Sequence, residues 1–303
     1  MHPYLIDLGE VSLPWIGGVH LALPTYGLIV ALGVVVAWIW MQKRAQAEGI
    51  APEDSSSVAF WTLVGGLAGG KIGLLIVDAP WYLAHPGDLL GAGFLQAAGV
   101  IWTAVLGGIA GMLIVSRRLG LPLGRLLDAA APAIPVGQAI GRLGCLMAGC
   151  CFGGACSAPW AIIYHSQAAR ARTGVPLGIP LHPAPVYEAL WSLAVVLPLT
   201  LLTFRRRRRP GEAALAYLAS YGVGRFIVEF FRGDAVRGLW FAGRLSTSQI
   251  ISAVAVPTAL GVWFWLRTRN DTEIGARLGK DAEDSVEANP THDHRVSHRG
   301  EQI

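Results

Sequence analysis

Seven long apolar segments constrain this chain more than any other feature of its sequence. A helix needs about 20 largely apolar residues to cross a hydrocarbon core about 30 Å thick. Segments of roughly this length lie at residues 24–42, 57–77, 92–115, 126–149, 185–204, 212–231 and 247–267. Only 15% of the residues are charged, against about 25% in a soluble domain. The sequence therefore predicts an all-α polytopic membrane protein whose seven transmembrane helices form one domain, residues 1–267.

The basic residues between these segments predict how the chain is oriented in the membrane. They follow the first, third, fifth and seventh segments, at Lys43, Arg44, Arg117, Arg118, Arg125, Arg205 to Arg209, Arg267 and Arg269. The connection between the second and third segments, "DAPWYLAHPGDLLGAG", has neither Lys nor Arg. Under the positive-inside rule the N-terminus lies outside and the C-terminus in the cytoplasm. The run "RRRRR" is accordingly interpreted as a topology anchor, and no nucleic-acid partner is expected.

Residues 268–303 form a polar and charged end of the chain. Such a composition is typical of disorder, so we expect a disordered cytoplasmic tail. Three histidines in it, His292, His294 and His298, are potential metal ligands, but a solvated tail is the favoured interpretation. No metal or cofactor is predicted for the chain.

The sixth apolar segment carries ionisable residues, which are costly inside a membrane and are therefore functional candidates. Its polar side chains are Tyr221, Arg225, Glu229 and Arg232. Their spacing of 4, 4 and 3 residues places them on one helical face. The structural alternative is an Arg225–Glu229 pair that neutralises itself. A membrane helix has little need of such a pair for stability, so a functional role is favoured.

The fourth apolar segment differs from a plain lipid-facing helix. Pro132 and Pro135 interrupt its backbone hydrogen bonding, and polar side chains occur at membrane depth, namely Asp128, Gln138 and Arg142. Such breaks are tolerated where the backbone is buried in protein or lines a cavity. Arg142 is expected near the outer end of this segment.

Polar residues from five segments converge in the outer half of the membrane on the predicted topology. They are Tyr26, Arg142, His182, Glu188, Tyr221, Arg225, Glu229 and Ser246. Structural explanations stay open for three of them: a membrane-interface position for Tyr26, a helix-dipole contact for Glu188 and an N-cap for Ser246. Two arginines beside carboxylates and a histidine predict a site for a phosphate-bearing lipid, because the planar guanidinium binds phosphate through several donors.

An ordered series of motifs resembles one known family. The motifs are "GRLG" at 141–144, "HPAPVYEAL" at 182–190, "YGVGRFIVEFFR" at 221–232 and "LSTSQI" at 245–250, with support from "PTYGLIVALG" at 24–33. On these motifs, over about residues 15 to 267, the chain resembles the prolipoprotein diacylglyceryl transferases.

The resemblance implies a multi-pass enzyme of the bacterial inner membrane. Members transfer the diacylglyceryl group of phosphatidylglycerol to the lipobox cysteine of a preprolipoprotein and release glycerol phosphate. The expected partners are therefore this lipid, the signal-peptide lipobox and membrane lipids. The predicted catalytic residues are Arg142, Arg225, Glu229 and His182, and the resemblance implies that the two arginines hold the phosphate as it leaves. The residues predicted around the lipid headgroup are Tyr26, Arg142, Cys145, Glu188, Tyr221, Arg225 and Ser246. The resemblance itself implies that Tyr26, Tyr221 and Glu229 shape this headgroup site.

The chain departs from the family pattern at two places. Cys145 and Ala148 stand where the family usually has asparagines, and Trp102 and Thr103 stand where it usually has histidine or tyrosine before paired glycines. If that histidine is the general base, this chain uses another group, His182 or Glu229, or has lost activity. The alternative function is therefore a catalytically impaired paralogue that binds or transports phospholipid.

All four cysteines lie within "GRLGCLMAGCCFGGACSAPW", at Cys145, Cys150, Cys151 and Cys156. This spacing lacks the C-x2-C pairs of zinc and iron–sulfur sites and of thiol oxidoreductases. Because the cysteines are expected on the outer, oxidising side, a structural disulfide and inert buried thiols are both favoured over metal binding or redox chemistry.

Overall fold

The computed structural model describes residues 4–13, 17–91, 93–94, 97, 99–234, 238–241 and 243–287, and this part of the chain is mostly helical. Its helices are α1 (Thr25–Ala47), α2 (Pro52–Val77), α3 (Ala79–Ala84), α4 (Ile101–Arg118), α5 (Leu123–Ala130), α6 (Ile134–Ala148), α7 (Gln167–Thr173), α8 (Ala184–Trp191), α9 (Leu197–Arg206), α10 (Glu212–Val228) and α11 (Thr247–Glu287). A π-helical turn at Ser192–Val196 joins α8 to α9. Single 3-10 turns cover Pro86–Leu90 and Glu229–Phe231.

Three small antiparallel pairs of strands accompany the helices. They are β1 with β2 (Tyr4–Leu13 with Gly17–Pro24), β3 with β4 (Ile162–Ile163 with Pro180–Leu181), and β5 with β6 (Leu239–Trp240 with Leu245–Ser246). The apolar periodicity of the sequence did not predict these strands. The last two pairs lie in the loops that follow α6 and α10, and they fix those loops beside the ends of the helices.

Six helical stretches in the described residues are long and apolar enough to cross a membrane. They are Thr25–Ala47, Pro52–Val77, Ile101–Arg118, Ala184–Arg206, Glu212–Phe231 and Thr247–Thr268. These confirm six of the seven predicted segments. The remaining one, 126–149, is divided between α5 and the shorter apolar helix α6. The division falls at a turn over residues 131–133, where Pro132 removes a backbone donor and Pro135 opens the first turn of α6.

Helices α2 and α4 approach each other through glycine. A Cβ on Gly69 would lie 2.3 Å from the carbonyl oxygen of Thr103, and one on Gly107 would lie 2.2 Å from that of Gly65. Small residues four positions apart allow this approach, which replaces side-chain packing by backbone contact.

Helix α2 also carries Lys71, a residue that no sequence motif singled out. It donates from Nζ to the carbonyl oxygen of Ala97 at 2.8 Å. A lysine inside an apolar helix is thus satisfied by backbone acceptors.

A second glycine contact sets the spacing between α8 and α10. A Cβ on Gly224 would lie 2.1 Å from Cδ1 and Nε1 of Trp191, so the indole occupies the space that any larger residue would need. The Trp191 Nε1 donates to the carbonyl oxygen of Ser220 at 2.9 Å. Helix α1 packs on α6 in a similar way, since a Cβ on Gly33 would lie 2.7 Å from the carbonyl oxygen of Gly137.

A buried polar cluster lies where α10 begins. The carboxylate of Asp128 accepts backbone N–H bonds from Gly211 and Ala213, both at 2.8 Å, and pairs with Arg207 Nε at 3.1 Å. Arg207 also forms an ion pair with Glu48. Asp128 therefore compensates the donors at the start of α10, and one arginine of the "RRRRR" run has a defined structural role besides its charge.

By its internal contacts the chain divides into two units, Met1–Leu260 and Gly261–Ile303. Helix α11 is described as far as Glu287, so the helix continues beyond the predicted boundary at 267. The predicted division into residues 1–267 and a disordered tail stays an expectation. The three tail histidines lie outside the described residues.

Candidate functional site

A single carboxylate joins two arginines from different helices. Glu188, in α8, has a side chain that is 6% exposed. It accepts a hydrogen bond from Arg142 Nη2 of α6 and one from Arg225 Nη1 of α10, the latter at 3.4 Å. The Tyr221 hydroxyl donates to the same carboxylate at 3.1 Å. Three helices that are separate in sequence thus meet at Glu188.

Arg225 is held by two further groups. Its Nη2 pairs with Glu229 Oε2 at 2.9 Å and donates to Ser248 Oγ at 3.0 Å. The ion pair with Glu229 is the one expected from their spacing of four residues. With Arg142 and Glu188, these residues carry two positive and two negative formal charges. The cluster is therefore neutral, and its arginines are oriented by protein groups.

An aromatic stack fixes the position of Tyr221. Its ring lies parallel to that of Tyr217, with centroids 5.7 Å apart, and the Tyr217 hydroxyl accepts from Gln138 Nε2 at 2.8 Å. Tyr217 is one helical turn before Tyr221, and that spacing is the signal by which the sequence analysis could have included it. Gln138, which the sequence marks only as polar at membrane depth, therefore helps to hold Tyr217 and, through it, Tyr221.

His182 lies in a neighbouring aromatic cluster. Its Nδ1 is 3.0 Å from the Tyr187 hydroxyl, which also accepts from Trp160 Nε1 at 2.7 Å. The ring of Phe231 packs edge-on against both His182 and Tyr187. In the described part of the chain, none of the hydrogen bonds of His182 reaches Arg142 or Arg225.

Tyr26 and Ser246 border the cluster in different ways. Tyr26, at the start of α1, lies against α6, since a Cβ on Gly144 would be 3.3 Å from the Tyr26 carbonyl oxygen. Ser246 forms a capping box with Gln249: its hydroxyl accepts from the Gln249 N–H at 3.2 Å, and its own N–H donates to Gln249 Oε1 at 3.0 Å. The serine that contacts Arg225 is Ser248, which the sequence analysis missed.

Arg232 does not continue the polar face of α10, because the helix ends at Val228 and a 3-10 turn follows. It instead binds Asp234 through two hydrogen bonds, Nε to Oδ1 at 2.8 Å and Nη2 to Oδ2 at 2.5 Å. Burial lowers the pKa of Arg232, but the bond to Asp234 and nearby negative groups outweigh it, so the pKa is raised above its usual value. Arg237, on the same loop, lies outside the described residues.

Three of the four cysteines come together beside Arg142. The sulfurs of Cys145, Cys150 and Cys151 all lie within 4.8 Å of one another, and Arg142 Nη1 is 3.7 Å from Cys151 Sγ. All four cysteines, Cys156 included, are free thiols in the structure. Hydrogen bonds from its two thiol neighbours lower the pKa of Cys151, and arginine charges act in the same direction.

The apolar helices and this buried arginine–carboxylate cluster define a polytopic membrane protein with a charged site between its helices. The family model described as prolipoprotein diacylglyceryl transferase matches residues 15–265. Because this match spans most of the sequence, the chain belongs to the prolipoprotein diacylglyceryl transferase family, as its motifs predict.

Individual relatives agree with the family model. The phosphatidylglycerol–prolipoprotein diacylglyceryl transferase of Clostridium tetani (strain Massachusetts / E88) is 33% identical over 234 residues, which cover 76% of this chain and 88% of the relative. The enzyme of the same name from Geobacter sulfurreducens is 33% identical over 256 residues, covering 82% of this chain and 89% of the relative. The enzyme of the same name from Rhodococcus jostii is 34% identical over 259 residues, covering 82% of this chain and 71% of the relative.

Proposed function

We propose that this chain is a bacterial cytoplasmic-membrane transferase. It moves the diacylglyceryl group of phosphatidylglycerol to the lipobox cysteine thiol of preprolipoproteins, the first step of lipoprotein maturation. The main observation that supports the proposal is that the Glu188 carboxylate forms ion pairs with both Arg142 and Arg225. Relatives that share most of the chain bear the name phosphatidylglycerol–prolipoprotein diacylglyceryl transferase, which supports the same reaction.

The arginine pair suits the phosphate of the lipid headgroup. Each guanidinium has five N–H donors, and the contacts to Glu188, Glu229, Ser248 and Cys151 use only part of this capacity. A phosphate diester adds one negative charge to a cluster whose formal charges cancel. Arginine remains protonated at every relevant pH, so its charge is available throughout the reaction.

Negative charge builds up on this phosphate during the reaction. The substrate thiol attacks the glycerol carbon that carries the phosphate, and a C–S bond forms. The bond between that carbon and the ester oxygen of the phosphate breaks, and its electron pair stays on this oxygen. The leaving glycerol phosphate gains negative charge, which oriented arginines stabilise more strongly than they stabilise the diester. The thiol proton passes to a base of the protein and then to the departing phosphate.

Two groups of this chain fit the role of base, and we assign it to His182. Glu229 is held in an ion pair with Arg225, so its carboxylate is already engaged in orienting that arginine. The contact between His182 and Tyr187 involves Nδ1, so Nε2 is the ring nitrogen that we assign to proton transfer. Imidazole is also the side chain that most often transfers protons in general acid–base catalysis.

The impaired-paralogue alternative has one observation in its favour. Trp102 and Thr103 lie in the first turn of α4 and supply no titratable side chain, and the Thr103 hydroxyl donates to the carbonyl oxygen of Val100, just before the helix, at 2.9 Å. A protein of this kind would bind phosphatidylglycerol and transfer nothing.

Complementation of a bacterial strain depleted of its own diacylglyceryl transferase separates these functions. We expect the wild-type chain to restore growth and Arg142→Ala or Arg225→Ala to abolish it, since losing one transition-state donor costs about 10²–10³ in rate. Arg170→Ala is the matched control, because Arg170 is exposed on α7 and should support growth. His182→Asn should fail like the arginine variants. Absence of rescue by wild-type chain that is present in the membrane would favour the lipid-binding paralogue.

A further inference from the structure

The three clustered cysteines supply no reacting group to the proposed transfer, although Cys145 is also one of the residues predicted around the lipid headgroup. Cys145 is buried in the last turns of α6, and Cys150 and Cys151 follow directly after Gly149, which ends that helix. The Cys150 thiol is 3.7 Å from the carbonyl oxygen of Cys145. The reactive thiol of the transfer belongs to the preprolipoprotein, so three thiols at this position call for a separate explanation.

The backbone bends sharply where the three cysteines follow one another. Gly149 has φ +76°, and Cys151 has φ +56°. In the described residues only Cys151 and Phe241 adopt a positive φ without being glycine. The left-handed region costs cysteine more than it costs asparagine or glycine, so the surrounding structure holds Cys151 in an unfavourable conformation. The bend returns the chain to the end of α6.

The same loop is tied to two other elements and is therefore not free to open. The Gly153 N–H donates to the His182 carbonyl oxygen at 3.0 Å, and the Gly154 N–H donates to the Phe231 carbonyl oxygen at 2.9 Å. The Gly233 N–H in turn donates to the Phe152 carbonyl oxygen at 3.0 Å. Preorganised ligands on a fixed loop are what a binding site for a small ion requires.

The separations of the sulfurs match coordination by one metal ion. With metal–sulfur bonds of about 2.3 Å, three ligands around one ion stand roughly 4 Å apart. The three sulfurs are already within 4.8 Å of one another, so small side-chain rotations bring them to that distance. The described residues place no histidine or carboxylate in the same group, which leaves three sulfur donors.

We propose that Cys145, Cys150 and Cys151 bind a soft thiophilic cation, copper(I), in a three-thiolate site. Thiolates select soft ions, and copper(I) accepts three of them in a plane, whereas structural zinc takes four protein ligands. Three thiolates with one copper(I) carry a net charge of −2. Arg142 Nη1 lies 3.7 Å from Cys151 Sγ, so a guanidinium adjoins the negatively charged site.

The test uses the full-length chain purified in detergent and copper(I) kept reduced by ascorbate without oxygen. We expect one copper per chain that survives competition with bicinchoninate and shows only sulfur neighbours in X-ray absorption. Cys145→Ser, Cys150→Ser and Cys151→Ser should each weaken binding by more than about 100-fold, the upper end of what outer-shell changes cost. Cys156→Ser is the matched control and should bind as wild type, because Cys156 lies outside the group.

A measurement on the unchanged chain keeps the proposal testable if a serine variant fails to fold. Copper(I) should protect three thiols from alkylation and leave Cys156 reactive, as read by peptide mass spectrometry. The proposal is overturned if no copper is retained, or if the triple serine variant retains as much as wild type. It is also overturned if two of the three cysteines form a disulfide in membranes isolated without reductant.

Discussion

At the scale of single residues, the proposed phosphate site depends most on Glu188. Arg142 and Arg225 lie on different helices, and this carboxylate is the group that both contact. Glu188→Gln keeps the shape of the side chain and removes its charge. Losing one partner of a buried ion pair costs about 3–5 kcal/mol. Because both arginine side chains retain some exposure, we expect the free energy of unfolding to fall by about 1–3 kcal/mol.

Thermal unfolding in detergent and a transfer assay with phosphatidylglycerol check this prediction. The arginines lose their common orientation in Glu188→Gln, so the KM for the lipid should rise as well as the turnover fall. Glu53→Gln is the control, since Glu53 is exposed in the first turn of α2. An unfolding midpoint and a KM equal to those of wild type would show that the bridge neither stabilises the fold nor positions the arginines.

The local part of this site was predictable and the tertiary part was not. The Arg225–Glu229 pair follows from a spacing of four residues in one helix, which the sequence displays directly. The contact between Glu188 and Arg142 joins residues 46 positions apart and depends on how α6 and α8 pack. Ser248 was missed for the same kind of reason: the sequence marks a cap at Ser246 but does not reveal which neighbouring hydroxyl turns toward α10.

At the scale of helices, the contact between α8 and α10 determines whether Glu188 reaches Arg225. Gly224→Ala would place a methyl group 2.1 Å from the Trp191 indole, which must move and break its bond to Ser220. We expect the free energy of unfolding to fall by about 1–3 kcal/mol, as overpacking usually costs, and transfer activity to fall with it. Chemical unfolding in mixed micelles measures the free energy of unfolding, and a transfer assay measures the activity.

Gly141→Ala provides the comparison for this substitution. Gly141 also lies in a helix, but a Cβ there meets nothing within 4 Å, so alanine should stabilise that helix through its higher propensity. If Gly224→Ala were as stable and active as Gly141→Ala, the close approach at Trp191 would have no energetic consequence.

The existence of most helices could be predicted because their apolar length has to match a bilayer. The prolines of the fourth segment predicted the interruption there, although not the separation of α5 from α6 at residues 131–133. The many glycines indicated that helices pack closely. The sequence alone did not show that α2 and α4 are the helices that approach each other. The paired strands are too short for periodicity to reveal.

At the scale of the whole molecule, two polar clusters mark opposite ends of α10. Asp128 and Arg207 lie where the helix starts, and Arg225 and Glu229 lie where it ends. Glu212 and Glu229 are roughly 26 Å apart at 1.5 Å per residue, close to the thickness of a hydrocarbon core. The first cluster adjoins the "RRRRR" run, so the positive-inside rule predicts that it lies on the cytoplasmic side and that the Glu188 cluster lies on the outer side.

This orientation is open to a direct test with paired reporter fusions. Alkaline phosphatase fused after Gly174 should be active, because on the proposed topology the loop after α6 lies outside. The same reporter fused after Arg209 should be inactive, and green fluorescent protein fused there should fluoresce, since the predicted topology has the apolar stretch Ala184–Arg206 return the chain to the cytoplasm. The two fusion points flank one apolar helix, so each serves as the control for the other. The reverse pattern would place the arginine pair on the cytoplasmic side, away from an exported lipobox, and would contradict the proposed mechanism as well as the topology.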